Sequence, residues 1–84
     1  MDMDTTTRKT VQYEIRTVDQ HGDVIDNPWF EDGPGAKARI LKTWATLTPE
    51  GEGCAALWLE RVTVWGCESE GVEDAIYEML ETKG

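Results

Sequence analysis

From Thr10 the chain alternates in character. Val11, Tyr13, Ile15 and Thr17 fall on one face of an extended segment, and Gln12, Glu14 and Arg16 fall on the other. β-Branched and aromatic residues on a period of two predict a strand over 10–17 with one buried face. Asp19-Gln20-His21-Gly22 predicts a turn, with Gly22 at positive φ closing it through a bulge. Asp23-Val24-Ile25 is expected to return as a short second strand. Asn27-Pro28 should end it, because Pro28 lacks the donor that a ladder needs. Further on, Asp32 is a candidate helix cap and Pro34 suits a first helical turn. Ala36, Ile40, Leu41, Trp44 and Leu47 then recur at helical spacing, while Lys37, Arg39 and Lys42 lie off that stripe. A helix over 34–47 follows, stopped by Pro49 and Gly51, with residues 50–53 a loop.

Residues 55–65 carry the strongest strand pattern. Ala56, Trp58, Val62 and Val64 lie on one face, and Ala55, Leu57, Leu59 and Trp65 on the other. Apolar residues on both faces predict a central strand, covered on both sides or open and adhesive on one. Residues 66–71 read as an acidic turn holding Glu68 and Glu70. Segment 72–84 supports two readings. Val72, Ala75, Ile76, Met79 and Leu80 form a helical stripe of good helix formers, yet Val72, Ile76 and Leu80 also suit a strand. Topology tips the balance to a strand, since the long strand needs antiparallel neighbours on both sides. The expected fold is α+β: a small antiparallel sheet of about four strands with one helix on one face. The expected order is strand, strand, helix, strand, then strand or helix. Val11, Tyr13 and Ile15 should pack against Ile40, Leu41 and Trp44. Residues 1–9, polar and Thr-rich, read as a flexible arm before a single domain over 10–84.

Composition narrows the function. The chain has 84 residues, 8 Lys and Arg against 17 Asp and Glu, and a formal charge of -9. A domain of this size buries roughly 60–65% of its unfolded surface, leaving little room for an enclosed active site. Seven aromatics, four of them Trp, argue against a disordered acidic tail. The charge is uneven: residues 1–49 hold 8 acids and 6 bases, residues 50–84 hold 9 acids and 2 bases. Such an excess disfavours direct nucleic-acid binding and anionic membranes, and favours a basic partner. No apolar run approaches the roughly 20 residues of a membrane span. Met1-Asp2-Met3-Asp4 lacks the basic start of an export signal, so a cytoplasmic location is expected. The spacing of Cys54 and Cys67 leaves a disulfide open, and that location favours free thiols.

Candidate chemistry is sparse. His21 sits in a turn with no orienting partner near it in sequence. His21, Cys54 and Cys67 fall short of the four closely spaced ligands of a structural metal site. Gly33-Pro34-Gly35 lacks the Lys and Ser/Thr of a phosphate loop. No catalytic residue, metal or cofactor is expected. The distinctive feature is the row Glu68, Glu70, Glu73, Asp74 and Glu78. It reads either as a solvated face or as a phosphate mimic that enters a basic groove. Trp58 and Trp65 are candidate anchors on a sheet face left open to a partner or a second copy.

In length, acidity, a lone helix between β segments and the lack of catalytic residues, the chain resembles small proteins of bacteriophages and mobile elements, most of all the anti-CRISPR proteins. That resemblance implies a non-enzymatic inhibitor of a CRISPR-Cas or other nucleic-acid-handling ribonucleoprotein complex, which blocks target recognition or cleavage. The group shares no motif, so the residues above come from charge and pattern alone. The alternative expectation is a homodimeric structural or accessory domain joined through an apolar sheet face.

Overall fold

The computed structural model describes residues 7–67 and 72–84. Two hairpins flank a helical segment: β1 (Thr7–Val18), β2 (Val24–Asp32), α1 (Ala36–Thr46), a short α2 (Pro49–Glu52), β3 (Ala56–Cys67) and β4 (Val72–Lys83). The strands form one sheet in the order β2-β1-β3-β4, and every neighbouring pair is antiparallel. The fold is therefore the expected α+β arrangement, and the final segment is a strand. Its pairing with β3 outweighs the helical propensity of its Glu, Ala, Met and Leu residues.

β1 and β3 are central and pair without slip from Thr7–Cys67 to Val18–Ala56. Ile15 stands opposite Leu59 on one side and Trp29 on the other, which places all three on one face. That face packs under α1. Tyr13, Ile15, Leu57 and Leu59 meet Ala36, Ile40, Trp44 and Leu47, with Val11, Trp29, Cys54 and Leu80 at the margin. Leu41, expected in this core, is exposed. Positions 36, 40, 44 and 47 already align along the buried line of the helix, and one residue further turns about 100° away from it.

Several boundaries differ from the sequence reading, among them the end of β3, which runs on to Cys67 where a turn over 66–71 was expected. β2 continues past Pro28 to Asp32. The pairing slips between Ile15–Trp29 and Thr17–Asp26, so Asn27 and Pro28 both stand against Arg16. An edge strand tolerates proline at such a bulge. Helix α1 begins at Ala36, two residues later than expected, and Asp32 does not cap it. Its cap is Gly35, at φ 79°, with no side-chain cap hydrogen bond. Residues 50–53 are not all loop: Thr48 accepts from the Gly51 N–H and starts the single turn α2.

β1 opens at Thr7, ahead of the expected Thr10, and residues 1–6 of the expected arm lie outside the described residues. The turn after β1 forms as read. Gly22 takes φ 83°, and Asp19 Oδ1 accepts from the N–H groups of His21 and Asp23. Cys54 is a free thiol. β3 separates it from Cys67 by about 36 Å at 3.3 Å per residue, far beyond disulfide reach.

β4 is tied to the far end of α1. Trp44 Nε1 donates to Glu81 Oε1 at 2.9 Å, and Lys83 Nζ donates to the carbonyl oxygens of Trp44 and Leu47. The ammonium also lies 4.5 Å from the Trp44 ring centroid. A cation at helix C-terminal carbonyls complements the helix dipole. Among the described residues, no element covers the sheet face opposite α1. On the α1 side, the end of the sheet beyond the helix is an open groove of about 550 Å³, lined by Lys9, Val11, Tyr13, Trp65 and Ile76 among others. No helix among the described residues is long and apolar enough to cross a membrane.

Candidate functional site

The face opposite α1 takes the alternate residues of each strand. Glu14 stands opposite Phe30 on β2 and Glu60 on β3. Arg16 stands opposite Trp58, and Val62 opposite Tyr77. A charged cluster therefore forms at the centre of this face, with apolar side chains of β2, β3 and β4 around it and Gln12 beside it on β1. Glu14 and Glu60 are each only 7% exposed. Arg16 Nε and Nη2 both donate to Glu14 Oε2, at 3.1 and 2.7 Å. Its Nε also lies 3.0 Å from Glu60 Oε1. That second contact is a charge attraction without hydrogen-bond alignment, because the Nε proton is directed at Glu14. Glu60 Oε1 thus stays buried without a hydrogen bond. Asn27 Nδ2 donates to Glu14 Oε1 at 3.3 Å.

Two carboxylates face one guanidinium here. Burial would lower the Arg16 pKa, but the Glu14 hydrogen bond and the charges of Glu60 and Glu14 raise it above its ordinary value. The group stays charged in any ordinary buffer. The Tyr77 ring sits 5.0 Å from the guanidinium carbon, a cation–π geometry. Around the cluster, Phe30 is 48% exposed, Tyr77 56% and Met79 45%. Trp58 is half-buried beside them. Trp, Tyr, Phe, Met and Arg are the residue types enriched in protein–protein interfaces.

The candidate residues from the sequence are placed as follows. Glu68 and Glu70 lie outside the described residues. Glu73 has its backbone in β4 opposite Gly66. Asp74 is exposed on β4 opposite Trp65, on the α1 side. Glu78 is exposed on the same side and forms an ion pair with Arg61. The Glu78 hydrogen bond and charge raise the Arg61 pKa above its ordinary value. Asp74 and Glu78 therefore share one side of an edge strand, and Glu78 is partly neutralised. Trp58 and Trp65 do not share a face. Trp58 pairs with Arg16 on the uncovered face, whereas Trp65 pairs with Lys9 in the groove beyond α1. Seven positions separate them, and an odd spacing reverses the side in a strand.

His21 and Cys54 line a shallow depression with Asp19, Gln20, Ile25, Gly53 and Ala55. The Cys54 thiol donates to the Ala56 carbonyl oxygen at 3.2 Å, and His21 is exposed in its turn. Sequence distance hid this neighbourhood, because 33 residues separate the two.

Sequence reasoning also passed over Glu14, Arg16 and Glu60. The available signal was Glu60, a lone acid between Trp58 and Val62 on a face otherwise apolar. An acid in such a strand calls for a cation across the ladder, and Arg16 is the nearby cation on the polar face of β1. The chain matches no family model, and no curated protein or solved structure shows significant similarity to it.

Proposed function

We propose that this protein is a non-enzymatic binding protein that docks its uncovered sheet face and acidic final strand against a basic protein surface. The specific partner we propose is a CRISPR-Cas or other nucleic-acid-handling complex, bound where nucleic acid would otherwise lie. The observation that carries the reading is the uncovered face itself. Exposed Phe30, Tyr77 and Met79 surround a cluster with one carboxylate more than guanidinium. The apolar rim supplies area to bury, and the surplus negative charge selects a basic partner. The net charge of -9 supports the same choice through electrostatic steering.

The test is binding of the wild type and an Asp74→Lys, Tyr77→Lys variant to purified CRISPR surveillance complexes and effector nucleases, at two salt concentrations, with target DNA as competitor. At least one complex should bind the wild type and lose DNA. The variant should bind at least tenfold more weakly, and salt should narrow the gap. Absence of binding across the panel overturns the CRISPR assignment. Equal affinity of wild type and variant removes this surface from the interface. A second reading, self-association, is favoured by exposed Trp65 and Ile76 in the groove beyond α1. It predicts a mass that rises with protein concentration and no need of a partner.

A further inference from the structure

Among the described residues, β4 is hydrogen-bonded on one side only, to β3, and forms an edge of the sheet. Every residue from Asp74 to Met79 is exposed, including Ile76 at 60%. Large apolar side chains, Ile76 on one face and Tyr77 and Met79 on the other, therefore flank a free line of backbone donors and acceptors. Edge strands are commonly blunted by proline, by charged side chains, lysine above all, by a bulge or by shortness, and the exposed charges of β4 are acidic, which repels acidic strands and admits basic ones. β4 has no proline, and its one lysine is Lys83, which is committed to α1. The register slips only at the Leu59–Glu60 step, where Leu80 is the extra residue. Val72 to Met79 is thus an unbroken edge of eight residues, about 26 Å long at 3.3 Å per residue.

We propose that this edge takes up an extended basic segment of a protein partner as a fifth strand. The inference rests on the binding-protein reading above and gives its mode of contact. In strand addition, main-chain hydrogen bonds supply affinity and alternate side chains supply specificity. On the α1 side the incoming residues would meet Asp74, Ile76 and Glu78. On the other side they would meet Ala75, Tyr77 and Met79. The complementary segment therefore carries Lys or Arg at alternate positions and apolar residues between them. Charge argues against a second copy as occupant. β4 holds Glu73, Asp74, Glu78 and Glu81 against Lys83, and like charges set across a ladder destabilise it.

The experiment uses three synthetic octapeptides: alternating Lys-Val, alternating Glu-Val, and the Lys-Val sequence N-methylated along its backbone. Each is titrated into the ¹⁵N-labelled protein, and affinity and amide exchange are measured. The Lys-Val peptide should bind at least tenfold more tightly than both others and slow amide exchange at residues 72–79. An Asp74→Lys variant should shift the preference toward Glu-Val. Equal binding of the N-methylated peptide overturns strand addition while leaving attraction to a basic partner intact. Failure of Lys-Val to bind, or unchanged β4 amides on binding, also overturns it. Slowed β4 exchange that grows with protein concentration alone assigns the edge to a second copy and overturns the proposal. The binding-protein reading fails separately, on the panel of intact complexes.

Discussion

Arg16 holds two carboxylates that would otherwise be buried without a counter-charge. Replacing it by methionine keeps much of the packing and removes the cation. The expected loss is about 3 kcal/mol, the low end for a broken buried pair, since about a fifth of the side chain still reaches water. Urea unfolding measures it. Replacing Glu14, Arg16 and Glu60 together by apolar residues should cost far less or stabilise, because no charge is then stranded. A triple variant as unstable as Arg16→Met would mean that the cluster holds the fold by more than its charge balance. On the other face, Ile40 is buried between α1 and the sheet. Ile40→Ala should cost about 2–5 kcal/mol by the same measurement. A loss below about 0.5 kcal/mol would show that α1 does not seal the core there.

The elements differ in how far the sequence foretells them. β1 was legible because its alternation is regular and its two faces differ in polarity. β4 was legible only through its neighbour, since its own residues suit a helix as well. β2 was cut short at Pro28 because proline stops an interior strand, and nothing local says that β2 lies at an edge with a bulge to spare. The start of α1 was misplaced for a related reason. Asp32 and Pro34 have the chemistry of a helix start, but Gly33 and Gly35 both take positive φ and delay it. The candidate site was less legible than the fold. Which apolar face of β3 receives α1 depends on register, and register also assembles Glu14, Arg16 and Glu60. At this scale Lys83 is the informative contact. Lys83→Met should lower stability by about 1–2 kcal/mol, through lost attraction to the end of α1. Thermal melts of wild type and variant check it, and an unchanged midpoint would mean that the Lys83 contact adds nothing to the tie between β4 and α1.

For the molecule as a whole, the charge of -9 on 84 residues sets the response to salt. Self-repulsion opposes the compact state, while the exposed pairs Arg39–Glu31 and Arg61–Glu78 contribute little. Raising ionic strength from about 0.01 to 0.15 M shortens the screening length from about 30 to 8 Å. The melting midpoint should therefore rise with salt. A midpoint that falls would mean that ion pairs outweigh repulsion. Salt should act in the opposite direction on partner binding and weaken it.

The pairing of β1 with β3 also fixes how the chain must find its shape. Each hairpin closes within its own stretch of sequence, but this central ladder joins residues from 38 apart (Val18 with Ala56) to 60 apart (Thr7 with Cys67). Ile15 and Leu59 meet only after most of the chain has been made and a long loop has closed. Non-local contacts of this kind place folding in the slower, millisecond-to-second range for small domains. Until then, the apolar edges of both hairpins are open to other molecules in the same condition. Refolding at high protein concentration should lose yield to aggregation, and dilution should restore it.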